Sequence, residues 1–250
     1  MIVTILGAGT AIPADRHSPA GIYVNTGREH LLFDAGPGTA QRLQTIGVSL
    51  FEIDRIFLTH YHLDHCLDVA SMLFALRIPQ STRTKPLTIY GPRGLKQLYR
   101  RLNQAFHGWL TPRSYSLIIK ELGETRLRLN GATIRTRRMN HSAPALGYRL
   151  EARGKSLAYS GDTDYCRAVV DLGRRADVLI LECAVPDERK VVGHLTPTAC
   201  GRIADEAGCR HLVLTHFYPM FASYNIRTRV RAQFRGRLTL ARDFTTLTLS

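Results

Sequence analysis

The stretch LTHYHLDHCLD, residues 58–68, places three histidines and an aspartate within six consecutive positions. It follows the apolar run DRIFLTH, which predicts a buried strand, and it precedes a segment with a helical pattern. In an extended chain, residues two apart point to the same side, so His60 and His62 can converge on one ion. Asp64 and His65 then lie across the start of the helix, aimed at a second point nearby. Imidazole and carboxylate groups suit zinc and its first-row neighbours, so this segment predicts ligands for two adjacent metals.

The remaining ligands must come from elsewhere, because one short segment cannot complete two coordination shells. Single histidines or aspartates stand at the ends of three other predicted strands: His141 after TIRTRRM, Asp162 after SLAYSG and His216 after HLVLT. Loops that follow strands are where a rigid scaffold collects binding residues. Taken singly, each of these residues is more commonly structural. Together with the first segment they predict a set of seven ligands: His60, His62, Asp64, His65, His141, Asp162 and His216.

The rest of the chain alternates strand and helix patterns without a repeat or a linker. Short apolar runs such as IVTILG, GIYVNT and HLLFDAG predict strands. The predicted strands form two groups along the sequence, each interspersed with helices. That order favours two packed β-sheets with helices outside over one doubly wound sheet. The predicted helices include DHCLDVASMLFALRIP, closed by Pro79, and a basic helix near residues 222–235. We expect residues 1–250 to form one domain.

The composition restricts the partners and the compartment. The chain has 34 Lys and Arg against 20 Asp and Glu, a formal net charge of +14. A basic surface attracts phosphate esters and nucleic acid, although an arginine-rich surface can also be merely solvated. No apolar run is long enough for a membrane span, and the N-terminus lacks the basic start of a signal peptide. The five cysteines are odd in number and include no C-x-x-C pair, which favours a reducing cytoplasm.

The ligand order resembles that of a known superfamily. H-x-H-x-D-H at residues 60–65, followed by a later histidine, aspartate and histidine at strand ends, resembles the metallo-β-lactamase fold superfamily and its ribonuclease Z-like hydrolases. The resemblance runs over nearly the whole chain, from LGAGTAIP to LVLTHFYP. It implies a four-layer αββα sandwich of the α+β or α/β class, in which two mixed β-sheets are flanked by helices. Two metals would lie at the edge of the paired sheets.

The resemblance also implies roles for the seven ligands. One metal would take His60, His62 and His141. The other would take Asp64, His65 and His216, and Asp162 would bridge the two. Zinc is the expected metal, with manganese and iron as alternatives. Asp34 in LLFDAG matches the family's early aspartate, which supports the ligands from behind; its alternative role is that of a turn-forming residue before glycine.

Residue identities narrow the chemistry of this superfamily. His62 stands where the redox di-iron branch has glutamate, and Asp162 stands where many metal-dependent lactamases have cysteine. The short segment after His216 leaves little room for the helical substrate domain of the thioester hydrolases. What remains is hydrolysis of a phosphodiester, or of a related phosphate or sulfate ester, by a hydroxide held between two metals. Asp64 would orient that nucleophile, and His194 in GHLTP would protonate the leaving group unless it is merely a neighbour of the helix start.

Transfer-RNA 3′ processing is an open alternative, because parts of the recognition apparatus of those enzymes are missing. Residues 142–161 form a predicted tight hairpin, whereas those enzymes typically insert a long arm there. PADRHS and HLTP match their other motifs only in part. We therefore expect a phosphodiesterase for small anionic esters, with wide substrate tolerance. The alternatives are a tRNA 3′ endoribonuclease, a lactam or thioester hydrolase, and a catalytically silent nucleic-acid binder; a homodimer is left open.

Basic and aromatic residues could replace the missing apparatus. One cluster precedes His141 and contains Arg135, Arg137 and Arg138. A second would lie on one face of the last helix, at i, i+4 spacing, and contains Arg227, Arg231 and Arg235, with Tyr224 and Phe234 nearby. Such a set can form a nucleic-acid track or a solvated face. Arg138 and Trp109 are the candidate substrate-binding residues; Trp109 could line an aryl or nucleobase pocket, or a dimer contact.

Overall fold

The computed structural model describes residues 1–78, 83–221 and 224–250, and it contains two seven-stranded β-sheets. The first sheet is formed by β1 (Ile2–Gly7), β2 (Gly21–Asn25), β3 (His30–Phe33), β4 (Arg55–Phe57), β5 (Leu87–Pro92), β6 (Leu117–Leu122) and β14 (Thr245–Thr248). The second is formed by β7 (Arg126–Arg128), β8 (Ala132–Arg138), β9 (Leu146–Ala152), β10 (Lys155–Tyr159), β11 (Val178–Glu182), β12 (His211–Thr215) and β13 (Arg237–Leu240).

Helices cover the outer face of each sheet. They are α1 (Thr39–Thr45), α2 (Leu63–Cys66), α3 (Asp68–Ala75), α4 (Leu95–Ala105), α5 (Arg167–Gly173), α6 (Pro197–Ala207) and α7 (Ile226–Arg231). Short 3₁₀ turns occupy Leu50–Glu52, Asp187–Arg189 and Pro219–Phe221. The apolar sides of α1, α3 and α4 pack on the first sheet, and those of α5, α6 and α7 pack on the second. The layer order is therefore helix, sheet, sheet, helix, which confirms the predicted sandwich.

A third apolar cluster joins the two sheets to each other. Phe57 stacks on Phe33 and on Tyr90, with ring centroids 5.1 Å and 4.8 Å apart. Tyr148 from the second sheet packs edge-on against Phe57 at 5.5 Å and donates its hydroxyl to the Leu58 carbonyl at 2.6 Å. Since Leu58 directly follows β4, this contact fixes the end of β4 against the second sheet.

Strand direction determines where loop residues collect. Both sheets are mixed, as predicted, and each contains a run of parallel strands: β3–β4–β5–β6 in the first and β10–β11–β12–β13 in the second. β8 and β10 are both antiparallel to β9, so they point the same way. Ligands of α/β sheets bind beyond the carboxyl ends of parallel strands. Here those ends are followed by the candidate ligands of the sequence analysis.

Two predicted helices differ from the observed ones. The first is divided into α2 and α3 at Leu67, and its proposed stop, Pro79, lies outside the described residues. The last helix is shorter than predicted, because the Asn225 side chain caps it through the Thr228 amide at 3.1 Å and the chain turns inward at the buried Phe234; residues 222 and 223 lie outside the described part. Among the described helices, none has the length and apolarity to cross a bilayer.

Candidate metal centre

The corner between β4 and α2 has the geometry predicted from LTHYHLDH. The Leu58 amide still pairs with the Tyr90 carbonyl at 2.8 Å, after which the chain continues without regular structure to His62, the residue that precedes α2. The Ala35 amide then bonds the His65 carbonyl at 2.7 Å. The corner is thus tied at both ends to the first sheet, and its four metal-capable side chains face the mouth of the sandwich.

One oxygen of Asp162 faces two histidines, and a third histidine contacts one of them. Asp162 Oδ2 lies 3.8 Å from His60 Nε2 and 3.7 Å from His141 Nε2. His62 Nδ1 lies 3.2 Å from His141 Nε2. These side chains come from the corner, from the loop after β8 and from the loop after β10. His60, His62, His141 and Asp162 offer ligand atoms that all lie within 4.8 Å of one another.

The other oxygen of Asp162 faces a second set. Asp162 Oδ1 lies 3.3 Å from His65 Nε2 and 3.5 Å from His216 Nε2. Asp64 Oδ2 lies 3.4 Å from the same nitrogen of His216, and the two imidazole nitrogens are 3.1 Å apart. The seven residues predicted from the sequence are therefore brought together as two adjacent groups, with one carboxylate between them.

Hydrogen bonds on the far side of the rings determine which nitrogens carry protons. His65 Nδ1 faces a carboxylate oxygen of Asp34 at 2.8 Å, and His141 Nδ1 faces the Gly193 carbonyl at 2.9 Å. His60 Nδ1 is 3.0 Å from the Thr59 hydroxyl, which itself donates to Asp34 at 2.9 Å. Each partner accepts a hydrogen bond from Nδ1–H, so the neutral ring directs its Nε2 lone pair toward the centre. Lone pairs that converge in this way are what a metal requires.

The protonation states of His60 and of the two carboxylates suit metal ions, whereas a metal would displace a proton from His65: burial opposes its imidazolium, but Asp162 and Asp34 raise the pKa of His65 well above its ordinary value. Burial, with the neighbouring imidazoles, lowers the pKa of His60 to about 2 and keeps the ring neutral. Burial opposes ionisation of Asp162, but His216 and His65 hold the pKa of that carboxyl well below its usual range. For Asp64, burial is likewise outweighed by His216 and His65, which lower its pKa to about 2. Neutral imidazoles and ionised carboxylates are the metal-binding forms.

Three buried atoms of the candidate ligand residues have no hydrogen-bond partner among the described residues: His216 Nδ1, on the far side of its ring, and two atoms that face the centre, His60 Nε2 and Asp162 Oδ1. A buried polar atom left unpaired costs about 1–3 kcal/mol, and a buried carboxylate oxygen costs more. The last two atoms belong to the facing groups described above. Divalent cations would satisfy both, so the donor set fits metal ions.

Asp34 supports one candidate ligand of each group from behind. Its fully buried carboxylate accepts the Thr59 amide at 2.7 Å and the Tyr159 hydroxyl at 2.8 Å, as well as the Thr59 hydroxyl and His65. Asp34 therefore supports one ligand, His65, directly and a second, His60, through Thr59. Tyr159 was not anticipated from the sequence, because an aromatic residue in a strand is ordinarily a core residue.

Backbone strain is concentrated in this region. Asp34 and His216 have φ values of 57° and 61°, a left-handed conformation that costs a residue with a Cβ of the order of 1–3 kcal/mol. Gly161 also has a positive φ, and a Cβ there would lie 2.6 Å from the Thr59 Cβ. These positions aim the Asp34, His216 and Asp162 side chains at one point. Strain of this kind persists where surrounding contacts enforce it.

His194 lies at the mouth of the centre and is held by a glutamate. Its ring centroid is 4.8 Å from that of His141 and 6.2 Å from that of His216. His194 Nδ1 contacts Glu182 Oε1 at 3.0 Å, and Glu182 is fixed by the Thr163 and Ala184 amides at 2.9 Å and 3.2 Å. Burial opposes the imidazolium, yet Glu182 raises the pKa of His194 above its ordinary value. Glu182 was missed in the sequence, although it ends the apolar strand DVLILE just as the ligands follow theirs.

Among the described residues, the other candidates, Trp109 and Arg138, form no hydrogen bond or ion pair with this cluster. Trp109 packs against Phe74 and under the Arg77 guanidinium, in a surface cavity of about 510 Å³ whose lining includes none of the seven residues. Arg138 is exposed at the end of β8, and its amide bonds Glu124. The predicted arginine row on the last helix is wrong in part: α7 ends at Arg231, so Arg235 lies beyond it.

The chain is similar to known proteins over nearly its whole length. Residues 29–217 match the sequence model of the beta-lactamase superfamily domain. Ribonuclease Z of Streptomyces coelicolor is 26% identical, and the match covers 97% of this chain and 96% of that protein. Ribonuclease Z of Thermococcus kodakarensis is 29% identical over 86% of this chain and 83% of that protein.

Solved structures show the same likeness. The metallo-β-lactamase fold protein YhfI from Bacillus subtilis superposes with a TM-score of 0.85 at 25% identity, covering 98% of both chains. The short form of human tRNase Z superposes with a TM-score of 0.83 at 26% identity, covering all of both chains.

The Asp34 network generates a test of metal binding. Asp34→Asn cannot accept all four hydrogen bonds and presents an N–H₂ group to Thr59 or His65. We expect it to lower the affinity for Zn²⁺ by about 10–100-fold, the usual effect of losing a group that orients ligands. Competition with a chromophoric chelator measures this affinity. Asp15→Asn, at a fully exposed aspartate, is the control; equal Zn²⁺ affinity in the two variants would contradict the role of Asp34.

Proposed function

The chain belongs to the metallo-β-lactamase superfamily, and on that premise we propose that it is a phosphodiesterase with two metal ions. The observation that carries the proposal is the position of Asp162, whose two carboxylate oxygens face two separate ligand groups. His60, His62 and His141 would hold one ion, Asp64, His65 and His216 the other, and Asp162 would bridge them. A set rich in imidazole favours zinc, with manganese and iron as alternatives.

Asp64, His194 and Glu182 supply the proton chemistry of this proposal. Two bound ions would lower the pKa of a shared water and offset charge on the phosphoryl oxygens. Asp64 lies at the open side of its group and orients the attacking water as well as binding metal. His194, kept protonated by Glu182, donates a proton to the departing alkoxide oxygen. Glu182 accepts the hydrogen bond from Nδ1 throughout, so it fixes the ring and does not itself take up the proton.

Two substrate classes are supported by different observations. Between His141 and Asp162 lies only the hairpin of β9 and β10, joined by Arg153 and Gly154, so no arm projects there. That compact mouth favours small anionic diesters. The full-length similarity to proteins named ribonuclease Z favours RNA as the substrate instead, with cleavage at the 3′ boundary of a precursor tRNA as the specific reaction.

Parallel assays on both substrate classes test the proposal. Zinc-loaded protein should hydrolyse bis(4-nitrophenyl) phosphate, and Asp64→Ala should lower kcat/KM more than about a thousandfold because it removes a ligand and the water-orienting group. The same preparations are incubated with a precursor tRNA bearing a 3′ trailer, and the cleavage site is mapped. A single metal-dependent cut at the tRNA 3′ boundary would favour precursor tRNA over small diesters as the substrate. If the protein turns over neither substrate, the phosphodiesterase proposal is contradicted.

The leaving group separates the role of His194 from a structural one. A 4-nitrophenolate ion departs without a proton, whereas a nucleoside alkoxide needs one. His194→Ala should therefore lower kcat on a diester with an alkyl or nucleoside leaving group by about 10²–10⁴-fold, with a far smaller loss on the nitrophenyl diester. His107→Ala, at an exposed histidine remote from the centre, is the matched control. Equal losses of His194→Ala on both diesters would mean that His194 is not the general acid.

A further inference from the structure

The edge of the sandwich opposite the metal centre carries a second concentration of charge. A cleft of about 680 Å³ lies there, at the N-terminal ends of the strands whose other ends lead to the centre. β10 begins at Lys155 and leads to Asp162; Arg210 precedes β12, which leads to His216. At a rise of about 3.3 Å per residue, the extended run from Arg210 to His216 puts the cleft roughly 20 Å from the candidate metal ligands. Its basic lining residues are Arg128, Arg149, Arg153, Lys155, Arg175 and Arg210.

Most of these cations have no carboxylate partner. The cleft contains two acids, and both are already engaged: Glu151 pairs with Arg149 at 2.9 Å, and Asp177 pairs with Arg210 at 3.1 Å. Within the described ranges, no carboxylate lies within ion-pair distance of the remaining four: Arg128, Arg153, Lys155 and Arg175. Like charges confined to one concave surface repel each other, and they raise the local concentration of anions.

The backbone conformation is unfavourable for two of these arginines. Arg153 and Arg175 have φ values of 52° and 50°. Arg153 is the first residue of the β9–β10 turn, and Gly154 also has a positive φ, a combination for which Asn-Gly is preferred. Arg175 follows α5, at a position where glycine or asparagine commonly ends a helix. The chain thus places arginine at two positions where other residues are less strained, and both face the cleft.

The first sheet contributes to the same surface. Arg153 Nη2 lies 2.6 Å from the point that a Cβ on Gly27 would occupy, and the Arg28 Cδ lies 2.7 Å from the corresponding point of Gly131. The turn between β2 and β3 therefore meets the turns of the second sheet, and Arg28 extends the surface. Arg126 on β7 lies opposite Arg135 on β8 and extends it along the sheet edge. The cations form a band rather than a single pocket, which suits a chain of phosphates.

We propose that this cleft and the basic band around it form a second binding site, separate from the metal centre, for the phosphodiester backbone of a single-stranded nucleic acid. Arginine guanidinium groups match phosphate oxygens in a bidentate manner. The site lies away from both arginine clusters predicted for a nucleic-acid track, apart from Arg135. It does not depend on the proposed phosphodiesterase function, because binding and turnover are measured separately.

The strained positions provide variants that remove charge without threatening the fold. Asparagine tolerates the left-handed region better than arginine does, so Arg153→Asn with Arg175→Asn should leave the thermal midpoint unchanged or higher. The control, Arg100→Gln with Arg101→Gln, removes the same charge from exposed positions on α4. Each pair is made in an Asp64→Ala background, so that an RNA probe stays intact. Fluorescence anisotropy of a labelled oligouridylate of about 20 nucleotides gives Kd at several salt concentrations.

We predict that Arg153→Asn with Arg175→Asn (the cleft pair) weakens oligouridylate binding about tenfold at low salt. Arg100→Gln with Arg101→Gln (the α4 pair) should change this binding less than about twofold. The slope of log Kd against log salt should fall by about 1.4 in the cleft pair, since each lost contact to a single strand removes about 0.7. Turnover of bis(4-nitrophenyl) phosphate by the cleft pair with Asp64 intact should equal that of the wild type. If both pairs weaken binding equally, the attraction is diffuse and the site is refuted.

Competition with inorganic tripolyphosphate separates a strand site from a small-anion site. Release of the labelled RNA only at tripolyphosphate concentrations far above the RNA Kd supports a site that needs an extended backbone. If instead tripolyphosphate binds in a manner that depends on Arg153 and Arg175 while the oligouridylate does not bind, the strand site is refuted. Absence of phosphodiester turnover would refute the proposed function and leave these binding results standing.

Discussion

The buried carboxylate of Asp162 is the constraint on which the organisation of this molecule depends. It is 3% exposed and lies between the imidazoles of His60, His141, His65 and His216. A charge so enclosed is tolerated only if it is paired. When neutral, the rings of His60, His65 and His141 turn lone pairs toward it, because Thr59, Asp34 and Gly193 engage the protons on their far sides. A buried carboxylate that faces nitrogen lone pairs has no positive partner, and metal cations between them would supply one. The arrangement is therefore that of a metal centre.

The scaffold supplies the stiffness that the centre needs. Its ligands come from four places far apart in sequence, and each follows a strand fixed in the sandwich. The stacked rings of Phe33, Phe57 and Tyr90 lie directly behind the corner, and the Tyr148 hydroxyl ties that corner to the second sheet. This rigid support explains how Asp34 and His216 can be held in left-handed conformations. It also separates the two proposed sites in space, since the strand ends opposite the candidate ligands carry the basic cleft.

Much of the fold, and the seven residues that the structure brings together as candidate ligands, could be predicted from the sequence. The ligands are readable because histidine and aspartate at a strand end have little packing value, so their repetition is informative. Glu182 and Tyr159 were missed for the opposite reason: a glutamate that ends a strand and a tyrosine within one have common structural roles. The basic cleft was also missed, because Arg28, Arg153, Arg175 and Arg210 are far apart in sequence and meet only through the turns of two sheets. The last helix ends earlier than predicted because the chain turns inward at Phe234. The burial of Phe234 depends on tertiary packing, which local sequence does not reveal.

We propose that Asp162 bridges two metal ions, one in each group of candidate ligands. Anomalous diffraction at the zinc absorption edge, from crystals grown with Zn²⁺, measures this directly. We predict two peaks a few Å apart, with one Asp162 oxygen bound to each ion. His60, His62 and His141 should surround one peak, and Asp64, His65 and His216 the other. A single peak, or two peaks with Asp162 bound to neither or to only one, would contradict this proposal.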